Sequence, residues 1–568
     1  KSPLIIACVF LTNKYTLPLI ILLMNSDFKI VIFNALTFKI VTMKKTLLLM
    51  LSLLMALTSL AQISLVKNLN PSSNNGVFGN LVVYNNKVYF SGNSSGNSTN
   101  YELFESDGTD AGTVLVRDIS PGTNTGGNPN DFYVWNNTNE LYFSASGGVS
   151  AVNIELWKTD GTANGTVKVS EFDPSGSGTP QKMTGYNNKL YMSARESSIG
   201  FELGTSSGTL ASSVILKDIR PGSLSSVPDE FFEYNGFLYF SANNGLPGNE
   251  LWRTNGTSNG TVLFKDIHTN ASGNPRGFTL FNNMFYFAAE DGPNGRELWR
   301  SNGTPNGTVM VQDINFGGPD SDPENFIVYN NRLYFTATTS IFGRELYYIG
   351  TTGTVTLAND IQSLALDSNP SDPYVYNNKL YFTAGDGVNG RELWVTDGTI
   401  PGTVMLKDIN PSGSSNPRNF QEYNGKLYFN ANGRLWVTDG TSAGTVQITG
   451  SPSDPEFLVV ANNLLFFRGN GGSGIGRELY IYEDPALSLD DLEPLEALKL
   501  FPNPTGSTFS INNTIRPDII KVYDITGKLV KEFKTQLNQY DISDLYPGVY
   551  MVNIQVGDRF NTLSIIKN

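Results

Sequence analysis

Carboxylates and aromatic rings recur side by side along this chain, as in ELWVTDGT from Glu392. Glu155 with Trp157, Glu250 with Trp252, Glu297 with Trp299 and Glu392 with Trp394 are the best-formed pairs, each followed by Asp-Gly-Thr or Asn-Gly-Thr. Two carboxyl groups at a set distance can hydrolyse a glycosidic bond, and an exposed ring can stack on a sugar. Recurrence argues against both uses. A residue that returns once per structural unit serves the unit, the glutamate by accepting hydrogen bonds from an adjacent turn and the ring by packing between units. Burying one such ring is worth about 4 to 6 kcal/mol as an upper figure.

Other chemistry has little to stand on. The single histidine, His268, occupies a loop position where other copies carry Asn315, Asn410, Ser120 or Arg220, so a Ser-His-Asp arrangement would rest on one variable residue. Loops such as GDGVNGRE (385–392) and EDGPNGRE (290–297) offer oxygen ligands, which makes calcium the alternative to no cofactor. They lack the dense acidic spacing of a calcium loop, and turn formation already explains their Asp and Gly. The only cysteine is Cys8, which the reading below removes from the mature protein.

The elements that must position these residues follow from the spacing of the copies. Related segments begin at Glu102, Glu155, Glu202, Glu250, Glu297, Glu345, Glu392 and Glu478, with a copy lacking the glutamate at Arg434; successive starts lie 53, 47, 48, 47, 48, 47, 42 and 44 residues apart. Each period holds four strand-like runs. The first ends in Tyr-Asn-Asn or a variant (Tyr84, Tyr186, Tyr329, Tyr376), and the second is Leu-Tyr-Phe-like (Leu141 to Phe143, Leu380 to Phe382). The Asn-Asn or Asn-Gly between them supplies the positive φ angles of a two-residue hairpin turn. Glu-Leu-Trp is the third run and Thr-Val-x-x-x-Asp-Ile the fourth, joined by a turn in which Gly398 and Gly402 are expected to take conformations closed to other residues. The fourth runs read as apolar on both faces, as in Val262-Leu263-Phe264.

Four antiparallel strands and one longer crossing per period read as a β-propeller blade. After Glu478 the chain never makes its fourth strand, whereas Ile63 to Ser73 is a fourth strand without the first three. The fold expected is therefore all-β: a single closed propeller of about nine four-stranded blades over residues 62–485, its N-terminal strand completing the last blade. An open superhelix of blades is the alternative.

The ends carry different information. Residues 1–42 read as spurious upstream translation before Met43. Residues 43–61, with Lys44 and Lys45, an apolar core and small residues at Ser59 and Ala61, read as a secretory signal peptide. The first 61 residues hold six Lys and one Asp, so a net charge of −13 becomes −18 beyond Ala61. This balance argues against nucleic acid as a partner, and no integral membrane segment is expected in the mature protein. Residues 486–497 read as an acidic linker, and 498–568 as a small Ig-like β-sandwich.

Two resemblances sharpen this. Pro502-Asn503-Pro504, Tyr523-Asp524-Ile525-Thr526-Gly527-Lys528, the segment holding Gly548 and Tyr550, and the Lys567-Asn568 ending closely resemble the type A sorting domain of the type IX secretion system of Bacteroidota. That resemblance implies the type IX machinery and its sortase-like peptidase as partners, and a secreted or cell-surface location. Residues 62–485 resemble the ELWxxDGT-repeat proteins; Gly204, Tyr347 and Tyr480 in place of Trp, and Arg434 in place of Glu, depart from the pattern. The functional expectation is a non-catalytic binding or adhesion module for a glycan or protein ligand. An extracellular polysaccharide hydrolase or lyase on a propeller scaffold, or a structural surface component, are the alternatives.

Overall fold

The computed structural model describes residues 5–12, 15–22, 62–71, 75–121, 126–147, 153–246, 248–484, 500–511, 517, 519–524, 528–534, 539–556 and 559–568. The leader expected at 43–61 and the linker at 486–497 lie outside the described residues. The chain divides into two units, 1–60 and 61–568. In the first, strands Ile5–Thr12 and Tyr15–Leu22 pair antiparallel.

The second unit is all-β; its one described helical element is the 3₁₀ turn Leu210–Ser212. Nine four-stranded antiparallel sheets follow one another through residues 62–484, eight with strands in chain order. The ninth takes strands Ser453–Ala461, Leu464–Asn470 and Arg477–Glu483 from its own segment and Gln62–Lys67 from the N-terminal segment as its fourth, with Ile63 opposite Tyr482. The first strand of each sheet touches the first strand of the next, and that of the ninth touches Val77–Tyr84 of the first. The arrangement is propeller-like.

Local chemistry explains the regularity. Asn85 and Asn86 (φ 49° and 60°), Asn187 and Asn188, Asn282 and Asn283, Asn330 and Asn331, Asn377 and Asn378, and Asn462 and Asn463 all take positive φ in the first hairpin, matching the right-handed twist of the flanking strands. Second strands are buried almost throughout, as in Lys379–Gly385. Core clusters straddle neighbouring sheets. Tyr84, Tyr89 and Leu103 pack with Phe143 and Trp157 of the next sheet, and Phe466 and Leu479 of the ninth pack with Val77, Val88 and Phe90 of the first. Hairpin tyrosines stitch sheet to sheet: the hydroxyls of Tyr186, Tyr234, Tyr329 and Tyr376 donate to the carbonyls of Gly236, Asn283, Asn378 and Gly425 at 2.7, 2.6, 2.8 and 2.6 Å.

Two expectations need correction. The fourth strands are not covered on both faces: apart from the half-buried Val355, their leading valines are 38% (Val167) to 48% (Val214) exposed, because each is an edge strand beyond the zone where neighbouring sheets meet. Gly402 is required for a reason other than a left-handed backbone. Gly398 does sit at φ 92°, but a Cβ on Gly402 would lie 2.0 Å from Asp397 Oδ1. Asp397 also accepts from the Thr399 amide at 2.9 Å and hydroxyl at 2.7 Å, which pulls the turn tight.

Residues 500–568 form two further sheets, Leu500–Phe501 with Thr508–Ile511 and Tyr540–Asp541, and Leu529–Phe533 with Ile519–Tyr523, Gly548–Val556 and Arg559–Lys567. Phe509, Ile520, Val522, Tyr540, Val552 and Ile565 share one core between them. Removing residues 62–67 should strip the ninth sheet of its fourth strand and lower the melting temperature by at least about 3 °C. An unchanged melting temperature would show that this strand pairing does not hold the structure together.

Candidate functional site

The repeated glutamates open the third strand of their sheets, and each faces a residue with little or no side chain. Glu102, Glu155, Glu202, Glu250, Glu297, Glu345, Glu392 and Glu478 stand opposite Gly92, Ala145, Ala194, Ala242, Ala289, Ala337, Ala384 and Gly469 on the second strand. All but Glu102 are fully buried. Their partners lie in the crossing that leads to the next sheet. Glu250 accepts from the amides of Ile267 (2.7 Å) and Gly273 (2.6 Å), and Glu155 from those of Phe172 and Gly178 at 3.0 Å each. Glu297 takes the Ile314 amide at 2.8 Å and the Ser321 amide and hydroxyl at 3.1 and 2.6 Å, and Glu392 takes Ile409 and Ser415 in the same way. These oxygens are occupied and shut off from solvent, so none can meet a substrate.

The eighth copy lacks the carboxylate. It has Arg434 instead, and from Val446 to Asp454 its crossing is four residues shorter than the run from Val404 to Asn416. In that shorter crossing Ser451 Oγ accepts the Leu435 amide at 2.9 Å, as Ser170 Oγ accepts the Leu156 amide at 2.8 Å in the second sheet, where Glu155 is present.

Burial also sets the protonation of these groups. Glu202, Glu250, Glu297, Glu345 and Glu478 are pushed up to about 7, burial outweighing the hydrogen bonds that favour the charged form. Glu102 is raised for the same reason.

Trp157, Trp252, Trp299 and Trp394 are 7–8% exposed and lie between sheets, Trp299 packing on Tyr239, Leu251 and Phe264 of the preceding one. Each sits opposite a phenylalanine of its own sheet, Phe143, Phe240, Phe287 and Phe382. No ring face is left for a sugar. In the Asp-Gly loops, Asp386 Oδ1 accepts from the amides of Val388 and Asn389 at 2.9 and 2.8 Å, and its other oxygen from the Asn389 side chain. Among the described residues no three His, Cys, Asp or Glu side chains are grouped to hold a metal ion.

What differs between copies lies elsewhere, and it was not read from the sequence. Every first strand carries a bulge at a residue of positive φ: Gly79, Asp131, Lys182, Glu230, Gly277, Asn325, Asp372, Asn419 and Phe457. Eight of them stand two residues after a proline that is itself preceded by a second positive-φ residue, as in Asn128-Pro129-Asn130-Asp131 and Val227-Pro228-Asp229-Glu230. That x-Pro-x-x recurrence was the available signal. Bulges re-aim side chains, and here the residue at the bulge varies along the chain: glycine, aspartate and asparagine each occur twice, and lysine, glutamate and phenylalanine once. Charged neighbours interlock around them. Arg276 pairs with Asp322 and Glu324 of the next sheet at 2.7 and 2.9 Å, Arg344 with Glu324 at 3.0 Å, and Lys182 with Asp229 at 3.3 Å.

The C-terminal motif residues are brought together. Asn503 Oδ1 accepts the Ile566 amide and Asn503 Nδ2 donates to the Ser564 carbonyl, both at 2.9 Å; this seats the segment between Pro502 and Pro504 on the last strand. Gly548 is paired with Lys567 in that strand. Tyr550 donates to the Tyr546 carbonyl at 2.8 Å and enters the core. Residues 499–568 match the family described as "Secretion system C-terminal sorting domain". This sorting domain assigns the chain to export, at the cell surface or beyond it. No curated protein matches the chain. Among solved structures, PorZ, an essential bacterial surface component of the type IX secretion system of Porphyromonas gingivalis, is similar at 11% identity and a TM-score of 0.31, over 87% of this chain and 75% of that one. Prolyl oligopeptidase B of Galerina marginata is similar at 12% identity and a TM-score of 0.35, over 65% of this chain and 56% of that one. Among the described residues no helix is long and apolar enough to cross a membrane.

Glu297→Ala should cost about 3 kcal/mol, since it leaves buried amides unpaired, and Glu297→Gln, which keeps one acceptor, should cost less. The folded carboxyls keep their protons to about pH 7, whereas the unfolded chain releases its own near the ordinary value of 4.5. Stability should therefore be fullest below that ordinary value and fall as pH rises through about 7. Melting temperatures of residues 62–485 between pH 5 and 8 check this; a flat profile would mean that the amide donors hold the carboxylates ionised.

Proposed function

We propose that this chain is an exported, non-catalytic, closed nine-bladed β-propeller of the ELWxxDGT-repeat type, which presents a binding surface outside the cell. The sorting-domain match over residues 499–568 carries the proposal. Type IX export, with the sortase-like peptidase acting on the C-terminal domain, delivers residues 62–485 to the cell surface or the medium. The placement of Gln62–Lys67 in the ninth sheet, and the contact of that sheet with the first, support ring closure, which removes the open edges that invite aggregation.

The binding role is supported by how the residues are divided. Repeated Glu, Trp and Asp-Gly-Thr groups are consumed in holding each sheet and its crossing, so what they leave for recognition is the variable set at the bulges and crossings. Deleting residues 498–568 in the native host should retain the protein inside the cell, and normal appearance in the medium would remove the export assignment. A glycan array with residues 62–485, run beside a polysaccharide hydrolysis assay, tests the rest. Saturable binding without turnover is expected, and cleavage of any polysaccharide would establish the enzyme instead.

A further inference from the structure

We propose that the loops at one end of the fifth, sixth and seventh sheets form an apolar crest that docks a basic amphipathic segment of a partner protein. This rests on the binding-module reading and names the kind of partner. Among the described residues of 62–484, five large apolar side chains are at least 70% exposed. Four of them, Phe316, Ile341, Leu364 and Val388, lie in consecutive loops here together with the half-exposed Leu366; the fifth is Leu246. Local contacts make these loops neighbours. The Ser340 amide donates to Asn315 Oδ1 at 3.0 Å, which brings the segments of Ile341 and Phe316 together. The Arg344 amide donates to Asp367 Oδ1 at 2.7 Å, and a Cβ on Gly343 would lie 2.3 Å from the Leu366 carbonyl oxygen. In the next loop a Cβ on Gly387 would lie 2.9 Å from Gln362 Nε2, so Val388 continues the row. The crest stops at a polar loop on either side, 291–295 against Asp320 and 410–415 against Gly390, neither of which holds a large apolar residue.

Single exposed apolar residues are ordinary on a protein surface, whereas contiguous ones mark interaction sites. Backbone geometry adds a second sign. Leu364 and Ala365 take φ of 74° and 59°, a left-handed region that residues other than glycine enter at a cost. Such strain is kept where function needs it, and holding a leucine out in water stabilises nothing within its sheet. Charge then selects the partner. The four segments 313–323, 340–342, 360–370 and 386–390 hold six aspartates and no lysine or arginine. The arginines that open the adjoining third strands turn inward, Arg296 to Asp322 at 3.4 Å, Arg344 to Glu324 at 3.0 Å and Arg391 to Ser371 Oγ at 2.8 Å. Acids such as the exposed Asp320 and Asp367 therefore dominate beside the apolar row. A partner that carries Lys or Arg next to its own apolar residues is complementary to this surface, and an anionic lipid surface is repelled by it.

Isothermal titration of the full chain with a synthetic helical peptide, leucine on one face and lysine on the other, tests this. The same peptide with glutamate for lysine, and phosphatidylglycerol vesicles, are the counterparts. Saturable binding of the lysine peptide is expected, weakened about tenfold or more when Phe316→Ser is combined with Leu364→Asn. That double variant keeps the net charge and should keep the melting temperature, and Ile400→Ser, at an exposed residue outside the crest, should leave binding unchanged. Absence of binding, equal binding of the glutamate peptide, or binding that survives the double variant would each overturn the assignment. Vesicle binding that the double variant abolishes would overturn it in favour of a membrane contact. A glycan from the array that binds the chain and its double variant equally, with no peptide binding, would overturn the crest alone and leave the binding module standing.

Discussion

One bond carries the repeat: a buried carboxylate at the start of the third strand takes backbone amides from the crossing to the next sheet. The crossing is where strand pairing stops, so its amides would otherwise be buried without acceptors, at a cost comparable to losing several hydrogen bonds. Glu297 collects Ile314 and Ser321, and the loop between them is drawn over the end of its own sheet. The direction in which the chain then enters the next sheet follows from that fixed path. Glu478 does the same with Leu69 and Asn70, at 3.3 Å each, across more than 400 positions of sequence. The N-terminal segment is thus tied to the ninth sheet by the same bond that the other glutamate-bearing copies use.

This constraint explains why the most repeated residues are the least available for chemistry. A side chain that must be present in almost every sheet is inside it. The Asp-Gly-Thr turn is repeated though exposed; there Asp160 accepts the Thr162 amide and hydroxyl at 2.8 Å each, and Gly165 is excluded from bearing a Cβ by Asp160 Oδ1 at 2.0 Å. Variation is marked at positions that the repeat does not use, among them the bulge residue of the first strand and the residue before the glutamate. There a charge can be paired with the neighbouring sheet, as Lys182 is with Asp229, or within its own sheet, as Arg344 is with Glu324.

Much of this was legible in the order of residues. Asn-Asn turns, Leu-Tyr-Phe strands and Asp-Gly-Thr turns are local signals with local causes, and the register of nine copies needs only counting. So do the start of a fourth strand at Ile63 and the want of one after Glu478. The bulges escaped because a residue such as Lys182 or Phe457 has no intrinsic preference for positive φ; only the preceding proline and the pairing on both sides put it there. The exposed outer valines escaped because edge and centre strands share one apolar pattern.

The sequence by itself determined the strands, their repeat, the ends that match up and the C-terminal domain that directs export, because each is marked by short motifs whose residues lie within a few positions of one another and whose copies can be counted along the chain. Tertiary structure alone decided what each side chain is spent on. Glu250 and Glu230 look equally acidic in the chain. One is sealed against the amides of Ile267 and Gly273 of its own crossing, and the other stands at a bulge and accepts the Gly277 amide of the next sheet at 2.8 Å. That difference arises from packing between sheets, which residue order cannot express.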